Sequence, residues 1–325
     1  MMDAQAVPGP EVVAEARRRL EGVVHCTPVL TCPALSEQAG CELFLKCENL
    51  QHAGAFKFRG ASHAVAVLSD KEAARGVVTH SSGNHGGALA LAAQRRGIPC
   101  HVVVPQGTTK RKVEAMTQAG AELHWCDDNQ AAREAACAEV CAYTGAELVH
   151  PYDDARVVAG QSTCAAEVLE QVEGLDAIVP PVGGGGLLSG TCLAVAASGQ
   201  SVRVHAAEPQ NADDAARSLA TGVRQPPPPA NTICEGLKTA LGEIPWAIIK
   251  EHVQSIEVVN DDQVLHAWRA VLREARIIIE PACAVPVAAA LTGVFGRLGY
   301  RKVALILTGG NIDLDRIPEF LGRTA

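Results

Sequence analysis

Residues 76–105, GVVTHSSGNHGGALALAAQRRGIPCHVVVP, contain the pattern that decides the fold. A short valine-rich run ends in small polar residues, an alanine-rich helical segment follows, and a second apolar run begins at Pro99. The pattern predicts a strand, a helix over 83–97 that is closed by Gly97, and a further strand over 99–105. Because near-continuous Val, Ile and Leu runs are typical of strands covered on both faces, it indicates a parallel sheet between helices.

The same alternation continues on both sides of this stretch. Further strands are predicted at 42–48, 121–126 and 202–209, with a strand that runs into a glycine loop at 177–186 and a strand that runs into a turn at 303–311. Further helices are predicted at 10–23, 109–120, 161–172 and 261–276. The fold class is therefore α/β, with parallel-rich sheets flanked by helices. Ligands of such sheets bind at the carboxyl ends of strands, so we expect functional residues directly after strands.

Composition excludes several function classes. The chain has 325 residues, of which 48% are hydrophobic and 20% charged, the balance of a soluble globular protein. Its net charge of −8 argues against a nucleic-acid partner. No apolar run is long enough to span a membrane, and the start MMDAQAVPGPEVV is not that of a signal peptide. Twelve scattered cysteines without a CxxC pair indicate reduced thiols in a cytoplasmic protein.

GAFKFRG, residues 54–60, places a lysine between two aromatic residues and two glycines. An amine in an apolar setting loses part of its preference for the protonated form and can then attack a carbonyl carbon. Lys57 is therefore a candidate catalytic residue. The alternative is an ordinary surface lysine.

HSSGNHGG, residues 80–87, places small polar residues between a strand and a helix. Free backbone amides at a helix start are a natural seat for a carboxylate, and four side chains add donors there. These are Ser81, Ser82, Asn84 and His85. The alternative is a capped helix start without a ligand.

PVGGGGLLSG, residues 181–190, follows an apolar strand with four successive glycines, whose backbone can wrap a phosphate without a Cβ clash. A dinucleotide site is the alternative, with Glu208 at the distance of a ribose-binding acid. We favour the phosphate, because Ser189 stands where that fingerprint needs glycine or alanine, and we expect no βαβ unit to begin here. TGGNID, residues 308–313, offers the Thr308 hydroxyl after another strand, or forms a simple turn.

Together, in this order, the four motifs resemble the fold-type II pyridoxal-phosphate enzymes, the group of threonine dehydratases and serine racemases. The resemblance runs from HCTPVL at 25–30 to TGGNID and is closest to the serine racemases. It implies a two-lobed fold like that of the tryptophan synthase β subunit. A small lobe, residues 57–149, is expected as an insertion in a large lobe formed by 1–56 and 150–325.

The resemblance also implies roles for the motif residues. Lys57 would bind pyridoxal phosphate as a Schiff base and Phe56 would pack on the cofactor ring. Asn84 would bind the phenolic oxygen and Thr308 would face the pyridine nitrogen. The phosphate would be held by Gly183, Gly184, Gly185, Gly186 and the amide of Leu187. The substrate would be held by Ser81, Ser82, Asn84, His85, Arg133 and Thr239.

Ser82 is the most discriminating of these residues. Typical threonine dehydratases carry alanine at this place in a similar loop, whereas serine racemases and some hydroxyaspartate dehydratases carry serine. In a racemase the two faces of Cα need two proton carriers, here Lys57 and Ser82. The alternative is that Ser82 only caps a helix.

EPQNADD, residues 208–214, resembles the metal-binding segment of the racemases. Glu208, Asp214 and the carbonyl of Ala212 would bind Mg²⁺, or Mn²⁺ or Ca²⁺. A solvated acidic loop is the alternative.

Two departures from the animal racemases bear on regulation and substrate. His52, Ala53 and Ala119 stand where ATP contacts would be expected, which counts against activation by ATP. HPYDDAR, residues 150–156, has Tyr152 in place of asparagine, as in plant racemases and dehydratases, and lacks the serine run of the aspartate racemases.

The function expected is racemisation of serine together with β-elimination of L-serine to pyruvate and ammonia, with L-threonine as an additional candidate substrate. The nearest alternative is a threonine, serine or 3-hydroxyaspartate dehydratase without racemisation. A nicotinamide-dependent oxidoreductase and a catalytically inactive binding protein are more distant alternatives. The expected partners are a small amino-acid substrate and a second copy of the chain in a homodimer.

Overall fold

A computed structural model describes residues 2–322 of the chain. Within this range, ten strands form two sheets with helices on both sides. The strands are β1 (Val29–Thr31), β2 (Glu42–Cys47), β3 (Val77–Thr79), β4 (Cys100–Pro105), β5 (Glu122–Cys126), β6 (Glu147–Leu148), β7 (Ala177–Val179), β8 (Arg203–Pro209), β9 (Val253–Val259) and β10 (Lys302–Leu307). The predicted α/β fold with parallel-rich sheets is confirmed.

The larger sheet has six strands in the order β1-β2-β10-β7-β8-β9, and the smaller has four in the order β5-β4-β3-β6. Only β1 pairs antiparallel with its neighbour among the described strands. The carboxyl ends of the other strands in each sheet therefore point to one edge. In the larger sheet the central strand β10 is fully buried from Val303 to Leu307.

The helices that cover the sheets are α1 (Val12–Leu20), α2 (Pro33–Ala39), α3 (Lys57–Ala66), α4 (Asp70–Arg75), α5 (Asn84–Arg96), α6 (Lys110–Gln118), α7 (Gln130–Thr144), α8 (Ala155–Gln171), α9 (Gly186–Ser198), α10 (Asp214–Thr221), α11 (Glu243–His252), α12 (Asp261–Ala270), α13 (Val285–Leu291), α14 (Val294–Arg297) and α15 (Ile317–Gly322). Among residues 2–322 no helix combines the length and apolar character needed to cross a bilayer.

Most predicted elements form where the pattern placed them. Two helices have different bounds, and one expectation about the connection of the strands is wrong. The helix predicted from 161 begins earlier, at Ala155, because the Asp154 side chain accepts a hydrogen bond from the Arg156 amide and caps it. The helix predicted to 276 is α-helical only to Ala270, and a wider π-type turn follows. The expectation that no βαβ unit begins at the glycine loop is wrong, since β7, α9 and β8 form one with parallel strands.

The smaller sheet is built from strands within residues 77–148, which lie inside the predicted small lobe. Helix α3 shares a hydrophobic core with this sheet through Phe58 and Ala61. It also packs against α8, whose residues Val158 and Cys164 belong to the core of the larger sheet. The division into lobes at residues 57 and 150 stays a prediction.

Candidate active site

Backbone pairing joins two of the four motifs. The Phe56 amide donates to the Thr308 carbonyl at 3.0 Å, and the Gly310 amide donates to the Gly54 carbonyl at 2.9 Å. Thr308 directly follows β10, the central strand of the larger sheet. The pairing therefore places Lys57, the first residue of α3, at the carboxyl edge of that sheet.

Lys57 lies in a cleft that shields its amine from water. Its Nζ donates to the Pro151 carbonyl at 2.8 Å and lies 5.1 Å from the centre of the Phe56 ring. Burial lowers the pKa of Lys57 to about 8, against the opposite influence of the Glu280 carboxylate. About a tenth of this amine is therefore neutral at pH 7, far more than for an ordinary lysine, and the neutral form is the one a nucleophile or a base requires.

A buried ion network fixes α3 two residues after Lys57. The fully buried Arg59 guanidinium donates from Nη2 to Glu48 at 2.8 Å and from Nη1 to Glu167 at 2.6 Å. Lys46 Nζ adds an ion pair to Glu167 at 2.6 Å. These charges are paired and hydrogen-bonded, so removing one partner would leave a buried charge uncompensated. The network thereby holds the start of α3 in one position.

The loop 80–83 connects β3 to α5 and carries side chains that remain accessible. Ser81 and Ser82 are half-buried. The residue that caps α5 is Gly83, and no side chain makes the capping hydrogen bond. The interpretation of Ser82 as a helix cap therefore has no hydrogen bond to support it.

Asn84 is held by residues far away in the sequence. Its Nδ2 donates to Glu280 Oε1 at 2.8 Å, and its Oδ1 accepts from Asn311 Nδ2 at 3.0 Å. Burial raises the pKa of Glu280 to about 7. Glu280 was missed in the sequence; its only signal was a lone acid between the apolar run 277–279 and Pro281.

His85 is oriented away from the role of a carboxylate donor. It is buried, its Nε2 lies 3.1 Å from the Val149 carbonyl, and its Nδ1 has no hydrogen-bond partner within residues 2–322. Burial holds the pKa of His85 well below its ordinary value, so the ring is neutral and Nδ1 carries a lone pair. A contact of the substrate with the His85 backbone amide stays a prediction.

The glycine loop needs its glycines for steric reasons. A Cβ on Gly184 would overlap the ring of Tyr152, and one on Gly185 would lie 2.7 Å from Pro245 Cβ. Gly185 also has φ of 88°, in the left-handed region that other residues avoid. Helix α9 begins at Gly186, so its free amides point into the loop. The loop is a backbone cradle suited to a phosphate group.

One cavity of about 360 Å³ brings the motifs together. Every residue predicted to contact cofactor or substrate lines it, namely Phe56, Lys57, Ser81, Ser82, Asn84, His85, Arg133, Gly183, Gly184, Gly185, Gly186, Leu187, Thr239 and Thr308. Lining residues that the sequence analysis did not assign to the site include Lys112, Pro151, Tyr152, Lys238 and Glu280. In the sequence Tyr152 stands out only as a departure from the racemase pattern, without a predicted contact in the site.

Two further lining side chains have a buried polar atom without a hydrogen-bond partner among the described residues. These atoms are Thr239 Oγ1 and Arg133 Nε, and both are available to a ligand in the cavity. Arg133 Nη2 is paired with Asp128 Oδ1 at 3.1 Å. The buried Thr308 hydroxyl, directly after the central strand, is instead hydrogen-bonded to the Cys283 side chain.

A second cavity, of about 510 Å³, shares Ser82, Asn84 and Glu280 with the first. Ala53 and Ala119 line it. His52 instead packs on His25 with ring centres 3.7 Å apart. Absence of ATP regulation stays a prediction.

The predicted metal ligands lie at the junction of β8 and α10, with Glu208 near the end of β8, Ala212 in the connection and Asp214 as the first residue of α10. Glu208 and Asp214 are both buried; Glu208 accepts from the Ala216 amide at 2.8 Å and Asp214 from the Leu241 amide at 2.8 Å. Burial raises the pKa of Glu208 to about 9 and also raises that of Asp214. Two buried carboxylates on either side of one short connection fit a hard cation, whose charge would favour their ionised forms.

The cavity also fits pyridoxal phosphate. The glycine cradle, in which a Cβ would clash, has room for a phosphate, and the Lys57 amine of lowered pKa suits the cofactor aldehyde. Residues 20–309 match the model of the pyridoxal-phosphate dependent enzymes. The chain belongs to this family.

Relatives with known activities cover nearly the whole chain. A β-hydroxyaspartate dehydratase of Paracoccus denitrificans is 44% identical over 312 residues, which are 96% of this chain and 99% of the relative. The serine racemase of Dictyostelium discoideum is also 44% identical over 312 residues, 95% of this chain and 96% of the relative. The structure of maize serine racemase superposes with a TM-score of 0.94 at 39% identity, covering 97% of each chain.

Proposed function

We propose that the protein racemises serine and also eliminates the β-hydroxyl of L-serine, giving pyruvate and ammonia. The observation that carries this proposal is that the Lys57 amine and the Ser82 hydroxyl line one cavity together with the glycine cradle. Ser82 does not cap α5, so its hydroxyl is available for another role. The likeness to serine racemases supports the same activity.

Binding would begin with the fixed parts of the cavity. The amides of the glycine loop and of Leu187 would hold the cofactor phosphate, and Phe56 and Thr308 would lie against the ring. Asn84, held by Glu280 and Asn311, presents its amide to the phenolic oxygen. When bound, pyridoxal phosphate supplies an electron sink that stabilises negative charge at the substrate Cα.

Lys57 and Ser82 then divide the proton transfers. The Lys57 amine removes the proton from Cα of L-serine on one face. Donation of a proton by Ser82 on the other face yields D-serine, whereas loss of the β-hydroxyl leads to pyruvate and ammonia. A serine hydroxyl is a weak acid, so its neighbours in the cavity must assist it.

We also propose that Glu208, Asp214 and the Ala212 carbonyl bind Mg²⁺ or a similar hard cation. The buried carboxylates and the raised pKa of Glu208 support the proposal. Since Asp214 also accepts from the Leu241 amide, the ion would stabilise the segment that leads from α10 towards Thr239 in the cavity. Chelation should therefore reduce turnover and lower the melting temperature together.

A 3-hydroxyaspartate dehydratase is a second candidate with its own support. Lys112, Arg133 and Lys238 all line the cavity, and Arg133 Nε has no partner among the described residues. A substrate with a second carboxylate would find cationic partners there. The relative from Paracoccus denitrificans supports this activity as strongly as the racemases support the first.

We propose in addition that the enzyme works as a homodimer in the cytoplasm. All twelve cysteines are unpaired, as is typical of a reducing compartment. The homodimer rests on the resemblance to the family alone, and light scattering after gel filtration would test it.

The activity is tested by incubating purified holoenzyme with L-serine and Mg²⁺ and measuring D-serine and pyruvate together. We expect both products. Pyruvate without D-serine would reject the racemase and leave a dehydratase. A parallel incubation with 3-hydroxyaspartate separates the second candidate, because only a dehydratase for that substrate would prefer it strongly over serine.

A further inference from the structure

Two histidines and a glutamate form a cluster on the smaller sheet, apart from the active site. His101 lies on β4, and Glu122 and His124 lie on β5. In the parallel register His101 is opposite Glu122, and His124 is two residues further along the same strand. Because side chains alternate between the faces of a strand, all three project from one face of the sheet.

We propose that His101, Glu122 and His124 form a binding site for a divalent transition-metal ion such as Zn²⁺. The one-face arrangement brings His101 Nδ1 to 3.1 Å from His124 Nε2. The Glu122 carboxylate lies 3.4 Å from the first nitrogen and 3.8 Å from the second. Two imidazoles and a carboxylate, with water as fourth ligand, are a donor set that zinc uses in proteins.

The spacing of the three donors supports a tetrahedral ion. Bonds of about 2.0–2.1 Å at tetrahedral angles place ligand atoms roughly 3.4 Å apart. The two nitrogens are 3.1 Å apart. The Glu122 carboxylate lies 3.4 Å from His101 through Oε2 and 3.8 Å from His124 through Oε1, so all three separations are close to this value. Side chains would therefore need only small rotations to accept the ion.

The orientation of His124 is fixed by a neighbour on α7. The Tyr143 hydroxyl lies 3.2 Å from His124 Nδ1, which leaves Nε2 directed at His101 and Glu122. Metal-binding histidines commonly use their second nitrogen in such a contact, which sets the tautomer and the ring orientation. His101 is largely buried, whereas the Glu122 side chain is 66% exposed, so an ion can enter from solvent.

The donor atoms of the cluster decide which ion it suits. Imidazole nitrogens favour Zn²⁺, Ni²⁺ or Cu²⁺ over Mg²⁺, which distinguishes this cluster from the oxygen ligands around Glu208.

The cluster lies at the opposite end of the sheet from the cofactor. His101 and Glu122 are near the amino ends of their strands, whereas Ser81 and Ser82 follow the carboxyl end of β3. Helix α7 spans the distance: Tyr143 lies near its end and Arg133, which lines the active-site cavity, near its start. Ten residues of α-helix separate them by roughly 15 Å. The ion is therefore a structural one, independent of the proposed reaction.

The test is a Zn²⁺ titration of chelator-treated holoenzyme by calorimetry in excess Mg²⁺, which keeps the proposed site at Glu208 and Asp214 occupied. Glu122→Gln and His124→Gln are the informative variants, because neither side chain is fully buried. His266→Gln removes an exposed histidine from α12 and serves as the matched control. Near-ultraviolet circular dichroism establishes that each variant is folded.

We expect wild type and His266→Gln to bind one Zn²⁺ with the same affinity. Both informative variants should bind it at least ~10-fold more weakly, because mutations around metal sites commonly cost that much affinity. Co²⁺ added instead should give the visible bands of four-coordinate cobalt, and His124→Gln should lose them. Thiol groups are blocked before the titration, so that Zn²⁺ does not bind to cysteine. Unchanged affinity in either informative variant would overturn the proposal, and so would a wild-type enzyme that then binds no Zn²⁺.

Discussion

Two strand-to-helix connections line the same cavity, residues 80–83 before α5 and residues 180–185 before α9. The glycine loop offers only backbone, and its shape is set by close packing against Tyr152 and Pro245. The serine loop offers side chains, and Ser82 remains half-buried and uninvolved in capping. The same strand-to-helix topology thus provides a backbone site suited to the cofactor phosphate in one loop and side chains suited to the substrate in the other.

The largest expected effect comes from Ser82→Ala in the serine loop. D-serine formation should fall by roughly 10²–10⁴-fold, the usual contribution of a proton carrier, while pyruvate formation persists because it uses only the Lys57 face. Chiral chromatography and a coupled pyruvate assay measure the two rates. Ser201→Ala, on an exposed turn, should leave both rates unchanged. D-serine formation at the wild-type rate by Ser82→Ala would show that Ser82 is not a proton carrier.

In the glycine loop, Gly184→Ala should weaken cofactor binding roughly 10–100-fold, because overpacking costs about 1–3 kcal/mol. The added methyl group would force the Tyr152 ring out of place. Titration of cofactor-free enzyme with pyridoxal phosphate gives the dissociation constant. The double variant Gly184→Ala/Tyr152→Ala should recover part of the affinity; no recovery would show that the clash is not the cause.

Glu280, which accepts a hydrogen bond from Asn84 at the start of α5, should make stability depend on pH because it is buried. Burial raises the pKa of Glu280 from 4.5 to about 7, so folded cofactor-free enzyme holds this proton more tightly than unfolded chain does. The contribution to stability is complete below pH 4.5 and is lost as pH rises through 7. Relative to Glu280→Gln, wild type should lose roughly 1–2 kcal/mol of unfolding free energy between pH 5 and pH 8.

Urea unfolding at both pH values measures this difference. Glu139→Gln on α7 is the matched control, since it removes an exposed carboxylate. The difference in unfolding free energy between wild type and Glu139→Gln should be the same at pH 5 and pH 8. A wild-type enzyme that gains stability over Glu280→Gln as the pH rises would contradict the assigned direction.

The smallest effect is expected from Gly87→Ala, in the first turn of α5. A Cβ there meets no atom within 4 Å, so alanine should stabilise the helix by about 0.5–1 kcal/mol, measured as a rise in melting temperature. Its neighbour Gly86 provides the contrast, because a Cβ there would collide with the Ser81 carbonyl and should destabilise the loop. Equal effects of alanine at Gly86 and Gly87 would show that the predicted clash with the Ser81 carbonyl does not occur.

The sequence predicted what depends on local pattern. Apolar runs and helix periodicity located most of the elements, and the four motifs named residues that do line one cavity. The glycine loop was readable because its requirement, the absence of Cβ atoms, is visible in the residues themselves.

What depends on remote pairing could not be read. Glu280 lies 196 residues from Asn84, and only the folded chain brings the two side chains together. The hydrogen bond of His85 to Val149, which redirects a predicted substrate ligand, is equally long-range. The cluster of His101 and His124 arises from strand register, which no single segment shows.

The division of proton transfer between Lys57 and Ser82 is tested most directly by running the reaction in deuterium oxide with wild type and Ser82→Ala. Mass spectrometry then scores deuterium at Cα of L-serine and D-serine separately. We predict that Ser82→Ala still exchanges the Cα proton of L-serine, through Lys57, but forms almost no D-serine and exchanges D-serine poorly. Loss of exchange from both enantiomers, or D-serine formed and deuterated as in wild type, would contradict two carriers on opposite faces.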